Sequence, residues 1–488
     1  MKNSAQTTVQ TTTQGELDMH KTFAARINLI KRPLLYMVGI VLAAMSCWVW
    51  LSDETLSPEV QRALAVIPRI PPEQNAYYPL WGLNASPELD ALRVGKQLVA
   101  AQAEAVNAKM FAVQFSATPY WGAKPMQARQ SPQRYCKRLG DTPNCSAVLR
   151  EHREALAAEL QSQAVFVQRY RDLRRYDYFE DAMIATPSAP LFRWSSAQYI
   201  SELVDADIVF GVAQPSTRAA ALAELHAEMR LWQKINRGTS SLITRMICSS
   251  ELASKYRLAS EMLLEYPEMA IEHREIMAKI TQPLTNEDTQ MGRVLMGEFR
   301  FGAAFFETVS LEPDISNNPA TDASALPPWV RRLQLAAAFK PNATINANYA
   351  RMRLAGDFYS QSAAAIAAGQ SEFDKKINYS RLDPAFWLYN PIGKISLNVS
   401  LPVFSSYAYR IQDVAGYSRL VELQRQLALN RTPLAKVGEM IAATDKNLND
   451  PYTQKAMAFN AATQTISFAT NNKDGLKQPL ISVKIAAR

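Results

Sequence analysis

The chain has 488 residues, of which 48% are hydrophobic and 20% charged, a globular composition that excludes a wholly disordered protein. Glycine is scarce, at 17 residues against 27 prolines, which disfavours glycine-rich nucleotide folds and β-barrels and favours helices broken by proline-marked loops. The net charge of +8 is a weak polyanion signal, because residues 1–33 alone hold +3 and the remaining +5 is spread over the rest.

Residues 1–33 read as a cytoplasmic tail whose first fifteen positions are Thr/Gln-rich and poor in apolar groups. Residues 34–51 follow, LLYMVGIVLAAMSCWVWL, without a charge. At 1.5 Å per residue, a run of this length crosses a hydrocarbon core of about 30 Å. Pro33 precedes the run, Trp48 and Trp50 mark its far end, and Asp53 and Glu54 stop it. The sequence therefore predicts a single transmembrane helix. Lys21, Arg26, Lys31 and Arg32 before it place the N-terminus in the cytoplasm and the bulk of the chain in the periplasm. A cleaved signal peptide is the weaker reading, since the n-region is long and Met45 and Trp48 spoil the cleavage site. Gly39, Ala43 and Cys47 recur at four-residue spacing, a face on which two such helices could form a homodimer.

Residues 52–85 carry five prolines and then Tyr77, Tyr78 and Trp81, and read as a Pro-rich stalk that docks its aromatics on the first helix. Residues 86–308 read as a helical body, opened by Ser86-Pro87 as N-cap and N1. Cys136 and Cys145 flank a polar turn and are predicted to form a disulfide in an oxidising compartment; zinc would need ligands that only His152 approaches. One long helix is expected over 146–176, then helices near 195–210, 216–236 and 240–265, the last two as an antiparallel hairpin. Thr285 and Asp288 resemble a capping box at the head of a helix near 286–308.

Residues 309–448 read as a loop-rich helical part: a loop over 309–341, a helix over 342–368, an aromatic loop around Phe386, Trp387 and Tyr389, and a helix over 403–429. In residues 449–488, the segments 455–460, 465–469 and 480–485 alternate as short strands. They predict a small β element packed on the helix 403–429. The fold class is mainly α, an irregular helical array or bundle outside the membrane with a small antiparallel β element at the C-terminus. No fixed repeat period is found.

The tail Asn449-Asp450-Pro451-Tyr452-Thr453, with Ala458-Phe459-Asn460 and Ile466, resembles the Asp-Pro-aromatic pattern that closes type II secretion pseudopilins, over about 25 residues and without the expected glycine. The whole chain, with Asn75-Ala76-Tyr77-Tyr78-Pro79-Leu80-Trp81-Gly82, is similar to uncharacterised single-pass envelope proteins of Gram-negative bacteria. That resemblance implies an inner-membrane location and no particular activity.

Catalytic motifs are absent: there is no HExxH, P-loop, GxSxG or CxxC, and no cofactor or metal site is expected. Glu298, among large apolar residues, is a weak candidate for a catalytic acid in a glycan-directed hydrolase that would use paired carboxylates. A structural ion pair with Arg293 or Arg300 is the blander reading. Arg169, Arg171, Arg174 and Arg175 lie among tyrosines in QRYRDLRRYDYF, and with Trp387 and Tyr389 they are candidate binding residues. Outside the cytoplasm their partners would be envelope proteins or anionic envelope components, not nucleic acid. A solvated helix end is the simpler alternative. The sequence thus points to a membrane-anchored periplasmic binding or scaffold protein that acts through protein or envelope-component contacts.

Overall fold

The computed structural model describes residues 36–41, 45, 50–65, 69–107, 116–126, 144–183, 186–187, 189–311, 327–400, 403–471 and 480–486. The N-terminal tail, much of 34–51, Cys136 and the loop 312–326 lie outside them. The chain is mainly helical and ends in a small antiparallel sheet. It divides into two units. A large one, the body, comprises Leu56–Pro313, Thr344–Tyr379 and Lys394–Arg488; a small one comprises Met1–Thr55, Asp314–Ala343 and Ser380–Gly393.

The body begins with α1 (Pro58–Leu64), whose N-terminus is capped by the Ser57 hydroxyl with proline at the first turn. It is followed by α2 (Tyr77–Trp81) and α3 (Ala91–Asn107). Residues 52–85 are therefore partly helical, not an extended stalk, because a capped Ser57-Pro58 start and the buried Val60, Tyr77, Leu80 and Trp81 give them core of their own. A methyl at Gly95 would stand 1.8 Å from the Tyr78 carbonyl oxygen, so α2 and α3 pack closely only because residue 95 has no side chain. The predicted Ser86 cap is displaced. Asp90 Oδ1 accepts from Arg93 N at 2.7 Å and starts α3, while Ser86 Oγ accepts from Lys124 N at 2.6 Å.

The expected long helix over 146–176 is three helices: α4 (Cys145–Glu151), α5 (Arg153–Ser162) and α6 (Ala164–Asp172), with a 3-10 turn Leu173–Arg175 after them. The breaks fall at His152 and Gln163, and bend the chain so that Leu149, Leu156, Phe166, Val167 and Tyr170 all reach one core. Then come α7 (Trp194–Val212), α8 (Pro215–Gly238) and α9 (Leu242–Glu265), close to their predicted spans, the latter two as a hairpin through Thr239–Ser241. Sixteen of the 24 residues of α9 are buried, on every face, so this helix is central to the body.

After α10 (Met269–Glu272) and α11 (Arg274–Ile280), the reciprocal Thr285–Asp288 capping box is present but heads only the single turn α12 (Asn286–Thr289). A separate helix, α13 (Gly292–Leu311), follows. The region expected as loop contains α14 (Pro328–Ala338), which belongs to the small unit. Beyond it, the predicted helix over 342–368 is split into α15 (Pro341–Tyr359) and α16 (Ala363–Ile377), the second capped by Ser362. The aromatic segment forms α17 (Pro384–Leu388), followed by α18 (Pro391–Ser400).

The second central helix is α19 (Val403–Leu429), which lies against α9 and is followed by the short α20 (Val437–Ala443). The strands β1 (Ala458–Asn460), β2 (Thr465–Ala469) and β3 (Leu480–Lys484) are antiparallel in that order. Ile466 pairs with Val483 and Phe468 with Ile481, so all four apolar side chains point to one face. That face lies on α19, where a methyl at Gly416 would come within 2.5 Å of the Phe468 ring. Gln424 ties the layers together, donating to Lys484 O at 2.8 Å and to Ser260 O of α9 at 3.0 Å.

In the small unit, residues 36–41 are helical, with Tyr36, Met37, Ile40 and Val41 exposed. Among the described residues no helix is long and apolar enough to cross a membrane. Of the residues at the proposed dimer face, a methyl at Gly39 would meet nothing within 4 Å, and Ala43 and Cys47 lie outside the described residues.

Candidate functional site

The arginine cluster is mostly consumed inside the body. Arg169 reaches back across the first part of the chain and donates to the carbonyls of Ala85, Ser86, Pro87 and Leu89. Arg171 pairs with Glu224 and Asp207, each at 2.7 Å. Arg174 makes a two-pronged bond to Glu224, at 2.8 and 2.9 Å, and also donates to the fully buried Glu228. Only Arg175 stays at the surface, its guanidinium 5.5 Å from the centre of the Tyr176 ring. Three of the four candidates therefore serve the fold, a correction that helical spacing could not foresee because their partners lie 36 to 84 residues away.

These pairs belong to a polar spine through the helical core. Tyr170 Oη donates to Glu228 Oε2 at 2.9 Å. Behind it, Lys255, wholly buried, sits 2.5 Å from Asp205 Oδ1 and 2.8 Å from Ser201 Oγ, with Glu251 at 4.0 Å. The carboxylates of Asp205, Glu228 and Glu251 outweigh burial and hold Lys255 protonated. Burial raises Asp205 to about 6, against the pull of Lys255. The spine joins α6, α7, α8 and α9, running from the buried Lys255–Asp205 pair to the half-exposed Arg171 and Asp207.

Beside the spine lies a cleft of about 660 Å³ between residues 176–180, α8 and the starts of α12 and α13. On α8, Ala227, Arg230, Leu231, Lys234 and Arg237 face it, the spacing of one helical stripe. Gly238 closes its end; a methyl there would stand 1.8 Å from the Phe179 carbonyl oxygen, so the close approach of residue 179 requires a glycine here. Lys234 Nζ donates to the Arg174 and Tyr176 carbonyls and so terminates the 3-10 turn; burial lowers its pKa, and Arg230 adds repulsion. Arg237 is held by Asp288 at 2.6 Å and Glu287 at 3.1 Å. Arg230 and Arg293, both exposed on the cleft, have no hydrogen-bonding or ion-pair partner among the described residues. Asp177 and Glu180 are the acidic groups on the opposite wall, the Glu180 carboxylate accepting from the Arg69 and Ile70 N–H groups. The cleft offers an anion two unengaged guanidinium groups, a feature that sequence missed because Arg230 and Arg293 sit 63 residues apart in separate helices.

Glu298 does not pair with either neighbouring arginine among the described residues. Its Oε1 accepts from Leu242 N at 3.2 Å, at the first turn of α9, while Arg300 Nε donates to Ala63 O at 2.9 Å. Gly297 makes this possible, since a methyl there would come 1.9 Å from Ser240 O. Burial raises the Glu298 pKa and the Leu242 N–H partly offsets it. The carboxylate thus caps the central helix, a structural task.

Trp387 and Tyr389 belong to the small unit. Trp387 is exposed and donates from Nε1 to Arg381 O at 3.2 Å; Tyr389 is half-buried, its ring centre 6.0 Å from Lys340 Nζ. Cys248 is a buried free thiol; Cys145 is buried at the start of α4, and its expected partner Cys136 lies outside the described residues. Among the described residues no three His, Cys, Asp or Glu side chains gather as a metal site. Comparison with protein-family models, with curated proteins and with solved structures finds no match to this chain.

Proposed function

We propose that the chain is a membrane-anchored binding or scaffold protein of the bacterial inner membrane, N-terminus in the cytoplasm and body in the periplasm, which holds an acidic partner protein or an anionic envelope component at the cleft. The observation that carries the reading is the pair Arg230 and Arg293, two exposed cations facing one cleft while nearby Arg171, Arg174 and Arg237 are neutralised by carboxylates. An unengaged cation beside a low-dielectric wall attracts negative charge more strongly than one in bulk water. The anchor is supported by the uncharged run 34–51, which is helical where described and turns Tyr36, Met37, Ile40 and Val41 outward. The hydrolase alternative draws no such support, since the carboxylate on which it rests caps a helix.

The test is photocrosslinking in intact cells from positions 230 and 293, with exposed Arg175 as control. A discrete adduct from both cleft positions, lost on charge reversal of the other arginine, is the expected outcome. Adducts no stronger than at 175 would sink the cleft as a binding site. The topology is checked separately by a phosphatase reporter fused after residue 60, expected to be active only outside the cytoplasm.

A further inference from the structure

The small unit leaves large apolar side chains uncovered. On α14, Trp329 and Leu333 stand one helical turn apart on the same face and are 64% and 44% exposed. In and around α17, Leu382 is 94%, Trp387 57% and Leu388 66% exposed, and Ile392 is 42% exposed. Scattered apolar side chains on a surface need no explanation, but six in so small a unit mark a surface with another phase or partner against it.

The same unit is tied by its side chains to the far end of the uncharged run. Trp50 Nε1 donates to the Leu388 carbonyl at 2.7 Å. Lys340 Nζ, just beyond α14, donates to the Leu51 carbonyl at 2.6 Å. Asp53 accepts from Asn342 N at 2.7 Å and Ala343 N at 3.1 Å, and Asn342 Nδ2 donates to Glu54 O at 2.8 Å. Both exposed segments are thus held within one or two residues of the point where the chain leaves the run.

We infer that the small unit is a membrane-interface foot: α14 and α17 lie on the outer leaflet from which the span emerges, with Trp329 and Trp387 at headgroup depth. The occupant of the apolar surface is the bilayer itself. This rests on the anchor reading above, and deepens it. A tethered surface held this near the bilayer has lipid as its nearest apolar phase, and tryptophan favours the boundary because its ring is apolar while its N–H needs a partner. Trp387 meets that condition by bonding to Arg381 O, leaving the ring free to enter the interface.

The full chain in lipid nanodiscs holding one copy each tests this. An environment-sensitive fluorescent amino acid replaces Trp329, Leu382 or Trp387 in turn, with the exposed Val165 of the body as control. At the three foot positions the emission should shift to the blue, lipids carrying a quencher near the headgroup should quench it, and aqueous iodide should quench it roughly threefold less than at 165. Iodide quenching equal to that at 165 in all three variants overturns the foot while leaving the anchor standing. Protection that appears only when two copies share a disc assigns the surface to a second chain and also overturns it. Failure of the full chain to enter nanodiscs at all removes the anchor, and the foot with it.

Discussion

The body and the small unit treat the same kinds of side chain in opposite ways. In the body, Trp232, Phe299 and Phe468 are buried, and even Lys255 and Arg245 are sealed inside with their charges met by carboxylates or carbonyl oxygens. In the small unit, Trp329, Leu382 and Trp387 face outward. Both follow from one rule: an apolar group leaves water wherever an apolar phase is within reach. The body supplies that phase from its own chain through two central helices, α9 and α19. The small unit has few elements with which to do so. Whether a Trp or Leu is covered is thus decided by its neighbouring chain: Trp232 is buried and Trp387 is exposed.

The contrast is broken most directly by matched truncations. Phe468→Ala removes a ring packed against Gly416 and should cost about 3–5 kcal/mol, whereas Trp387→Ala should stay within about 0.5 kcal/mol, both read by urea unfolding of the full chain in detergent. Equal losses at the two sites would abolish the distinction.

Charge gives a second comparison. Glu228→Ala leaves Arg174 and Tyr170 facing an empty position in the spine and should cost about 3–5 kcal/mol. Adding Tyr170→Phe removes one stranded hydroxyl and should recover about 1 kcal/mol of that loss. If the double variant is less stable than the single one, the spine is held by packing and not by its bonds.

Titration sharpens the same point. Asp413 on α19 accepts from Tyr452 Oη at 2.6 Å and Thr470 Oγ1 at 2.5 Å, yet burial raises its pKa to about 6. An aspartate in the unfolded chain titrates near 4, so the folded protein holds this proton more tightly. The resulting stabilisation is present in full below about pH 4 and is lost as pH rises through about 6. Asp205, also raised to about 6, adds to the trend. Stability should thus rise as pH falls from 7 to 5. Asp413→Asn should remove about 1 kcal/mol of the rise between pH 7 and pH 5, seen in unfolding curves across that range. A variant with the wild-type slope would mean that Asp413 is ionised in the folded state throughout.

A small effect is also expected at Glu298. Glu298→Gln keeps an oxygen for Leu242 N–H and should change stability by about 1 kcal/mol or less. Loss of a cellular function in this variant with stability intact would bring back the catalytic reading.

Sequence by itself determined the parts whose cause is local. The apolar period of residues 403–429 marked α19 at its observed bounds, the alternation at Ile466, Phe468, Ile481 and Val483 marked the inward face of the sheet, and Thr285 and Asp288 announced their capping box three residues apart. What only tertiary structure decided is the fate of each polar group. The breaks at His152 and Gln163 carry no proline or glycine; they depend on what α4, α5 and α6 pack against. Arg169, Arg171 and Arg174 looked available because their carbonyl and carboxylate partners are far off in sequence, and Arg230 and Arg293 looked ordinary because the cleft that unites them is made by separate helices. Glu298 looked like an isolated acid until α13 approached the first turn of α9 across Gly297. Periodicity is set by neighbours three or four residues away, whereas the pairing of a charge is set by whichever distant segment the fold brings within hydrogen-bond reach.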